Sequence, residues 1–368
     1  MDENTYMDPI DDANKPAEDS ETAGKVPADA PVKKKASASK SGKTSASHKK
    51  KRRKKRRKNA LNGHTVFFIV LGVLFLATII RLLVWNRGKS SGYDPNETTT
   101  EFDVELLDYI QPLDPELLAG RTDDSVTTIL ALGNDILSDD RSSSGIAALL
   151  EKKTDSTILN CAFPGSTIAM KNPQYENSYP LDGLSLYWVA AALANQNFDL
   201  MDVVVKDMNS EAADAALETL KSVDPEVLDA IVILYDLQDY AGKRIVYDEN
   251  NDVNLNTVYG ALNGTIQLIQ DTWPHIRIYF LCQPYGTYTE GDGTVVDADM
   301  DDLGNGTLVD YLNWELEASR SNGISFVDNY YGAVTMEDED CLVDGFHLND
   351  KGRERVAERV AQVLAPQK

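Results

Sequence analysis

Five short apolar runs punctuate the C-terminal two thirds of the chain, at 126–132, 157–161, 230–235, 276–282 and 324–327. Each is rich in β-branched or aromatic residues and is not broken by a polar alternation. That pattern predicts strands buried on both faces. Between the runs, apolar residues recur at helical spacing over 146–153, 184–195, 211–222, 256–271 and 308–321. Asn349 or Asp350 is placed to cap a last helix, on which Val356, Val360 and Leu364 share a face. Alternation of strand and helix predicts an α/β class with a parallel sheet covered on both sides. No internal repeat is present.

Upstream the pattern changes. The stretch TVFFIVLGVLFLATIIRLLVW, 65–85, has no polar face along 66–80. A bilayer core needs roughly 20 apolar residues in helix. Arg81 lies near one end, where its stem reaches the headgroups. This predicts one transmembrane helix rather than a cleaved signal peptide, because the charged region ahead of it is too long.

Charge fixes the orientation. The 368 residues carry a formal net charge of −23, divided into blocks. Residues 1–31 hold nine acids and two lysines, and 32–64 hold fifteen Lys or Arg and no acid. Residues 86–368 hold fifty acids and eighteen bases. Alone, HKKKRRKKRRK (48–58) would suggest nucleic acid. Beside an apolar span it predicts contact with anionic lipid and no nucleic-acid partner. The positive-inside rule puts 1–64 in the cytoplasm and the remainder outside a cell membrane crossed once. Residues 1–64 have almost no large apolar side chains up to the basic cluster and predict a disordered tail. Residues 86–125 predict a stalk, in which ELLDYIQPLDPELL has enough apolar positions to pack back onto the domain that follows, 126–368. Cys161, Cys282 and Cys341 are no disulfide framework, and leave either one bridge or three thiols open.

Ligands of parallel sheets bind at the C-terminal strand ends. Those ends read GNDILSDDR, CAFPGSTIA, YDLQDY, CQPYGTY and DNYYGA, and LVDGFHLND precedes the last helix. In this order the blocks resemble the SGNH, or GDSL-type, hydrolases over about 126–364. The resemblance implies a three-layer, flavodoxin-like sandwich with a five-stranded sheet, and ester chemistry, such as O-acetyl groups on glycans. It implies Gly165 and Gln238 as oxyanion-hole donors, and Asp344 with His347 as the acid–base pair. It implies no cofactor. The first block departs from the family: Asn134 stands for its Asp and Asp135 for its nucleophilic serine.

Three readings follow. In one, a displaced serine, Ser138 or Ser166, is activated by His347 for ester hydrolysis or O-acetyl transfer. In the second, preferred on sequence, the domain is a pseudo-hydrolase that binds an envelope polysaccharide or peptidoglycan. Tyr235, Tyr240, Tyr285 and Tyr330, with Tyr288 and Tyr331, would form the aromatic platform and Asn134 a polar contact. In the third, Asp135 is itself a nucleophile, or joins Asp344 and His347 around a cation. His48, His64 and His275 lie away from the strand ends and predict no catalytic role.

Overall fold

The computed structural model describes residues 71–72, 75–77, 106–118 and 123–364. The chain divides into two units, Met1–Glu97 and Thr98–Lys368. In the first, 71–72 and 75–77 are helical, with Leu71, Phe75 and Leu76 exposed. The predicted tail, most of the predicted membrane span and residues 86–105 of the predicted stalk lie outside the described residues. Among the described residues, no helix is long and apolar enough to cross a membrane.

The second unit is built on a five-stranded, wholly parallel sheet in the order β2-β1-β3-β4-β7. Its strands are β1 (Thr128–Gly133), β2 (Thr157–Asn160), β3 (Ala230–Leu234), β4 (Arg277–Leu281) and β7 (Ser325–Val327). A small antiparallel hairpin, β5 (Thr287–Thr289) with β6 (Val295–Asp297), lies outside it. Every residue of β1 and β3 is buried, as the unbroken apolar runs require.

Two apolar layers follow from strand alternation. On one face Leu130, Leu132, Ile231, Ile233, Ile278 and Phe280 pack under α4 (Leu186–Asn195), α5 (Asp199–Met208), α6 (Glu211–Ser222), α8 (Val258–Thr272) and α9 (Leu308–Ser321). On the other, Ile129, Ala131, Val232, Leu234 and Leu281 meet α3 (Ile146–Thr154) and α10 (Asp350–Leu364) through Ile146, Leu150, Val356 and Val360. Ser210 and Thr257 cap α6 and α8 through their side chains, and Thr307 with Asp310 forms a capping box on α9. This is the three-layer sandwich. Two short helices, α2 (Asp135–Ser138) and α7 (Gln238–Ala241), start directly after β1 and β3. They lie at the point where the strand order reverses, which is where such sheets bind ligands.

Both sheet edges are covered. Beyond β7, Tyr109 exchanges two backbone hydrogen bonds with Phe326, at 3.0 and 2.7 Å. Leu107 N–H donates to Asp328 and Asp328 N–H donates to Asp108, whose carboxylate also pairs with Arg359. Helix α1 (Pro115–Leu118) follows this strap. Beyond β2, Arg141 donates to the carbonyls of Asn160 and Ala162, and Glu151 accepts from Ile158 N–H. Unpaired strand edges invite aggregation, and these side chains and the strap occupy them. Cys161, Cys282 and Cys341 are three free, buried thiols, so no bridge joins them.

Candidate active site

The site starts at Gly133. A Cβ there would lie 2.1 Å from the Leu234 carbonyl oxygen, so only glycine lets β1 and β3 pair up to this point. The next residue, Asn134, is fully buried. Its Nδ2 donates to Asp236 Oδ1 at 2.8 Å and to the Ser166 carbonyl at 3.1 Å, and its Oδ1 accepts from Asp236 N–H at 3.0 Å. Asn134 therefore ties three strand ends together. The expected ligand contact is overturned, because every polar atom of the side chain faces protein.

Asp135 opens α2 and is half-buried. Its Oδ2 accepts from the Gly165 N–H at 2.9 Å and from Gln238 Nε2. These are the two donors that the family resemblance assigns to the oxyanion hole. The Asp135 carboxylate thus lies between the two donors, in the place where that resemblance would put a developing oxyanion. Gly165 adopts φ +70°, a left-handed conformation that aims its N–H at the site and that glycine adopts without strain. Gln238 is placed by α7, whose first turn also carries Asp239. Buried Asp239 accepts from Ile168 N–H at 2.8 Å and Ala169 N–H at 2.9 Å, fixing the loop that presents Gly165. Burial pushes the Asp239 carboxyl up to about 6, against those two hydrogen bonds and Arg244.

His347 stands in a loop whose shape is set by its own backbone. Val343 N–H donates to the His347 carbonyl at 2.7 Å, and Thr287 N–H donates to the Gly345 carbonyl at 2.8 Å. The Asp344 carboxylate accepts from His347 Nδ1 at 2.8 and 2.9 Å. That fixes the proton on Nδ1 and leaves Nε2 as the working nitrogen. Nε2 lies 3.9 Å from Asp139 Oδ2. Burial alone would lower the His347 pKa, but the Asp344 hydrogen bond and the charges of Asp139 and Asp236 outweigh it, and the value is raised. Arg353 on α10 reaches Asp140 at 3.2 Å and the Leu348 carbonyl at 2.7 Å, joining the histidine loop to the segment after α2.

Two further acids belong to the site and were not among the residues singled out from sequence. Asp139 is raised by burial and by Asp135, with His347 and Arg353 opposing. Asp236 is pushed up to about 7 by burial first and by Asp135 second, despite its hydrogen bond from Asn134. Asp236 Oδ2 is buried with no hydrogen-bond partner among the described residues. The signal for both was available: Asp139 lies one helical turn beyond Asp135, and Asp236 lies two residues before Gln238.

The displaced serines are not nucleophiles in this arrangement. Ser138 is 5% exposed and its Oγ has no hydrogen-bond partner, because α2 turns this position toward the core. Ser166 is fully buried and its hydroxyl points at the Gly133 carbonyl, 3.4 Å away. The aromatic platform is also overturned. Tyr235, Tyr240, Tyr285 and Tyr330 are all buried in the core. Tyr240 donates to the Asp301 carbonyl at 2.7 Å, Tyr285 to Asp297 at 3.4 Å and Tyr330 to Asp299 at 2.5 Å. Tyr240, Tyr285 and Tyr330 support the 297–301 loop, as apolar bodies with a polar tip do. Tyr288 and Tyr331 are half-buried. Buried His275 meets the Pro225 carbonyl at 3.2 Å, a structural contact.

A cation site formed by Asp135, Asp344 and His347 is not supported, since they do not bring three ligand atoms within 4.8 Å of one another. Among the described residues Asp338, Asp340 and Cys341 do so, but Arg355 and Lys351 already pair with the two acids.

No family model and no curated protein matches the chain. Solved structures of hydrolases resemble it at low identity. One, described as a possible lipase from Chitinophaga pinensis DSM 2588, is 16% identical with a TM-score of 0.42, covering 64% of this chain and 96% of that one. Est24, a carbohydrate acetylesterase from Sinorhizobium meliloti, is 11% identical with a TM-score of 0.41, over 64% and 97%. A lipolytic protein of the G-D-S-L family from Desulfitobacterium hafniense DCB-2 is 13% identical with a TM-score of 0.37, over 65% and 99%.

Proposed function

We propose that the chain is an SGNH-hydrolase-like protein, anchored in the cell membrane by 65–85 with its folded domain outside, that does not hydrolyse esters through a serine. One observation carries the reading of the site. The Asp135 carboxylate occupies the hole formed by Gly165 N–H and Gln238 Nε2. Acyl transfer needs those donors free for the substrate's oxygen and a nucleophile beside the base. Here an anion occupies the donors, and a carboxylate stands where the resembled family has its serine. The base pair itself, His347 with Asp344, is intact. Burial of Tyr235, Tyr240, Tyr285 and Tyr330 withdraws the platform on which glycan binding would rest.

The test is hydrolysis of a nitrophenyl acetate by the purified chain. Turnover no greater than that of His347→Ala is expected. Wild-type turnover abolished by Ser138→Ala or Ser166→Ala would overturn the reading. The anchoring rests on the apolar span and its basic flank. Protease added to intact cells is expected to remove residues beyond about 90, and protection of the domain until lysis would overturn that orientation.

A further inference from the structure

We propose that Asp135 is a nucleophile toward saturated carbon, and that the domain opens epoxides to diols through an ester formed on that side chain. The proposal goes beyond the absence of serine esterase activity. It rests on how the two carboxylate oxygens differ. Oδ2 is held by Gly165 N–H and Gln238 Nε2. Among the described residues both hydrogen bonds to this carboxylate fall on Oδ2 and none on Oδ1, and the residue is half-exposed just beyond the end of β1. A carboxylate with one oxygen in a donor hole already has the geometry of the ester carbonyl it would become. An acyl substrate cannot use this hole, because its own carbonyl oxygen would have to displace Oδ2. A saturated carbon needs no hole in the first step, and the second step then uses the hole for Oδ2 itself.

The first step forms a bond between Oδ1 and a ring carbon of the epoxide and breaks that carbon's bond to the ring oxygen. The released oxygen takes the proton of His347 Nε2, whose raised pKa keeps it charged to higher pH than an ordinary histidine. The product is a hydroxyalkyl ester of Asp135 and a neutral imidazole. In the second step Nε2 takes a proton from water, and the hydroxide adds to Cγ. Negative charge develops on Oδ2, between its two donors. Collapse breaks the bond from Cγ to the ester oxygen. The departing alkoxide takes the proton of the new carboxyl group, leaving diol, carboxylate and imidazolium. The sum is epoxide plus water to diol, with no other reactant. Asp344 holds Nδ1 throughout, so Nε2 alone exchanges protons. An oxygen leaving group is favoured over a halide because a proton donor stands at the site. A glycoside fits less well, since its ester would be cleaved at the sugar carbon and the hole would do nothing.

The experiment is turnover of styrene oxide by the full chain in detergent, in water enriched in heavy oxygen, followed by mass measurement of the peptide bearing Asp135. Heavy oxygen is expected in the Asp135 carboxylate, because water attacks Cγ. His347→Gln, which lacks both the proton donor of the first step and the base of the second, is expected to release no diol. Gln238→Ala, which removes one donor, is expected to slow diol release by about 100-fold while the labelled atom stays the same. Asp135→Asn, checked for a wild-type unfolding midpoint, is expected to give no label and no diol. Diol that carries all the heavy oxygen while Asp135 carries none would overturn the proposal, as would the absence of diol from the wild type.

Discussion

Asn134 and Asp236 hold each other by two hydrogen bonds, Nδ2 to Oδ1 at 2.8 Å and Asp236 N–H to Asn134 Oδ1 at 3.0 Å, across the ends of β1 and β3. This pair decides which changes at 134 and 135 the site tolerates. Introducing the Gly-Asp-Ser of the resembled family would put a carboxylate at 134 against the Asp236 carboxyl, and would delete the donor to it. Leaving a buried polar atom unmet costs about 1–3 kcal/mol. The serine alone should therefore be restored. Asp135→Ser is expected to free Gly165 N–H and Gln238 and to give weak hydrolysis of nitrophenyl acetate, abolished by His347→Ala. Adding Asn134→Asp is expected to lower the unfolding midpoint and the activity together. Steady-state rates and thermal melts of the single and double variants check this.

His347 faces Asp139 through Nε2 at 3.9 Å, while Asp344 holds Nδ1. Its raised folded pKa means that the paired state stabilises the fold fully below the unfolded value of about 6.5. That contribution is lost as pH rises through the folded value. Asp139→Asn is expected to lower the His347 pKa, and Asp344→Asn to lower it further by taking the charge out of the hydrogen bond to Nδ1. NMR titration of the imidazole reads both. An unchanged value in Asp139→Asn would place the two side chains apart in solution.

The sheet was legible because its strands are continuous apolar runs with turn residues at each end, and runs of that kind have few other ways to be buried. The third strand, expected at 230–235, is Ala230–Leu234 in the structure. Helix α5 was missed because DLMDVVVKDM has a β-branched core that competes with its helical spacing, and packing of Met201, Val204 and Val205 decides the outcome. The hairpin of Thr287–Thr289 and Val295–Asp297 is short and polar, so no periodicity marks it. Within the site, the order of blocks gave Gly165, Gln238, Asp344 and His347 their neighbourhood. It did not give the direction of side chains. Asn134 and the tyrosines lie at strand ends as expected but point inward, and the position of Asp135 in the hole depends on a carboxylate reaching farther than a serine hydroxyl.

Ser138 offers a simple check on the excluded serine. Its hydroxyl is buried and unpaired. Removing an unpaired buried hydroxyl relieves a desolvation cost rather than breaking a bond. Ser138→Ala is expected to leave every activity unchanged and to alter stability by less than about 1 kcal/mol, in the stabilising direction. A loss of stability beyond that in chemical denaturation would mean the hydroxyl has a partner.

The Asp108 side chain is one anchor of the strap at 106–111, and it can be cut. The Asp108 carboxylate accepts from Asp328 N–H at 2.9 Å and pairs with half-buried Arg359. Asp108→Ala leaves that N–H and the guanidinium unmet, at a cost of about 1–3 kcal/mol. Hydrogen exchange is expected to quicken at Tyr109 and Phe326, whose mutual backbone bonds close the β7 edge. Unchanged exchange at those two amides would show that the apolar contacts of Leu107 and Tyr109 hold the strap without it.

Asp236 adds a pH dependence of its own. Burial first, and the neighbouring Asp135 second, push its carboxyl up to about 7. An acid raised in the folded state holds its proton there while the unfolded chain has already released it. Its contribution to stability is complete below the unfolded value of about 3.9 and declines as pH rises through the folded value. The loss should therefore accumulate across the mildly acidic range and level off above neutrality. Asp236→Asn removes the titration while keeping the Oδ1 acceptor used by Asn134 Nδ2 and Gln238 N–H. The variant is expected to match wild type near pH 4 and to exceed it near pH 8, by on the order of 1 kcal/mol or more. Asp135→Asn is expected to flatten the same slope in part, because it withdraws the second cause of the shift and leaves the first. Denaturant midpoints measured across that range decide the matter, and parallel curves for wild type and Asp236→Asn would mean that Asp236 is ionised in the folded protein throughout.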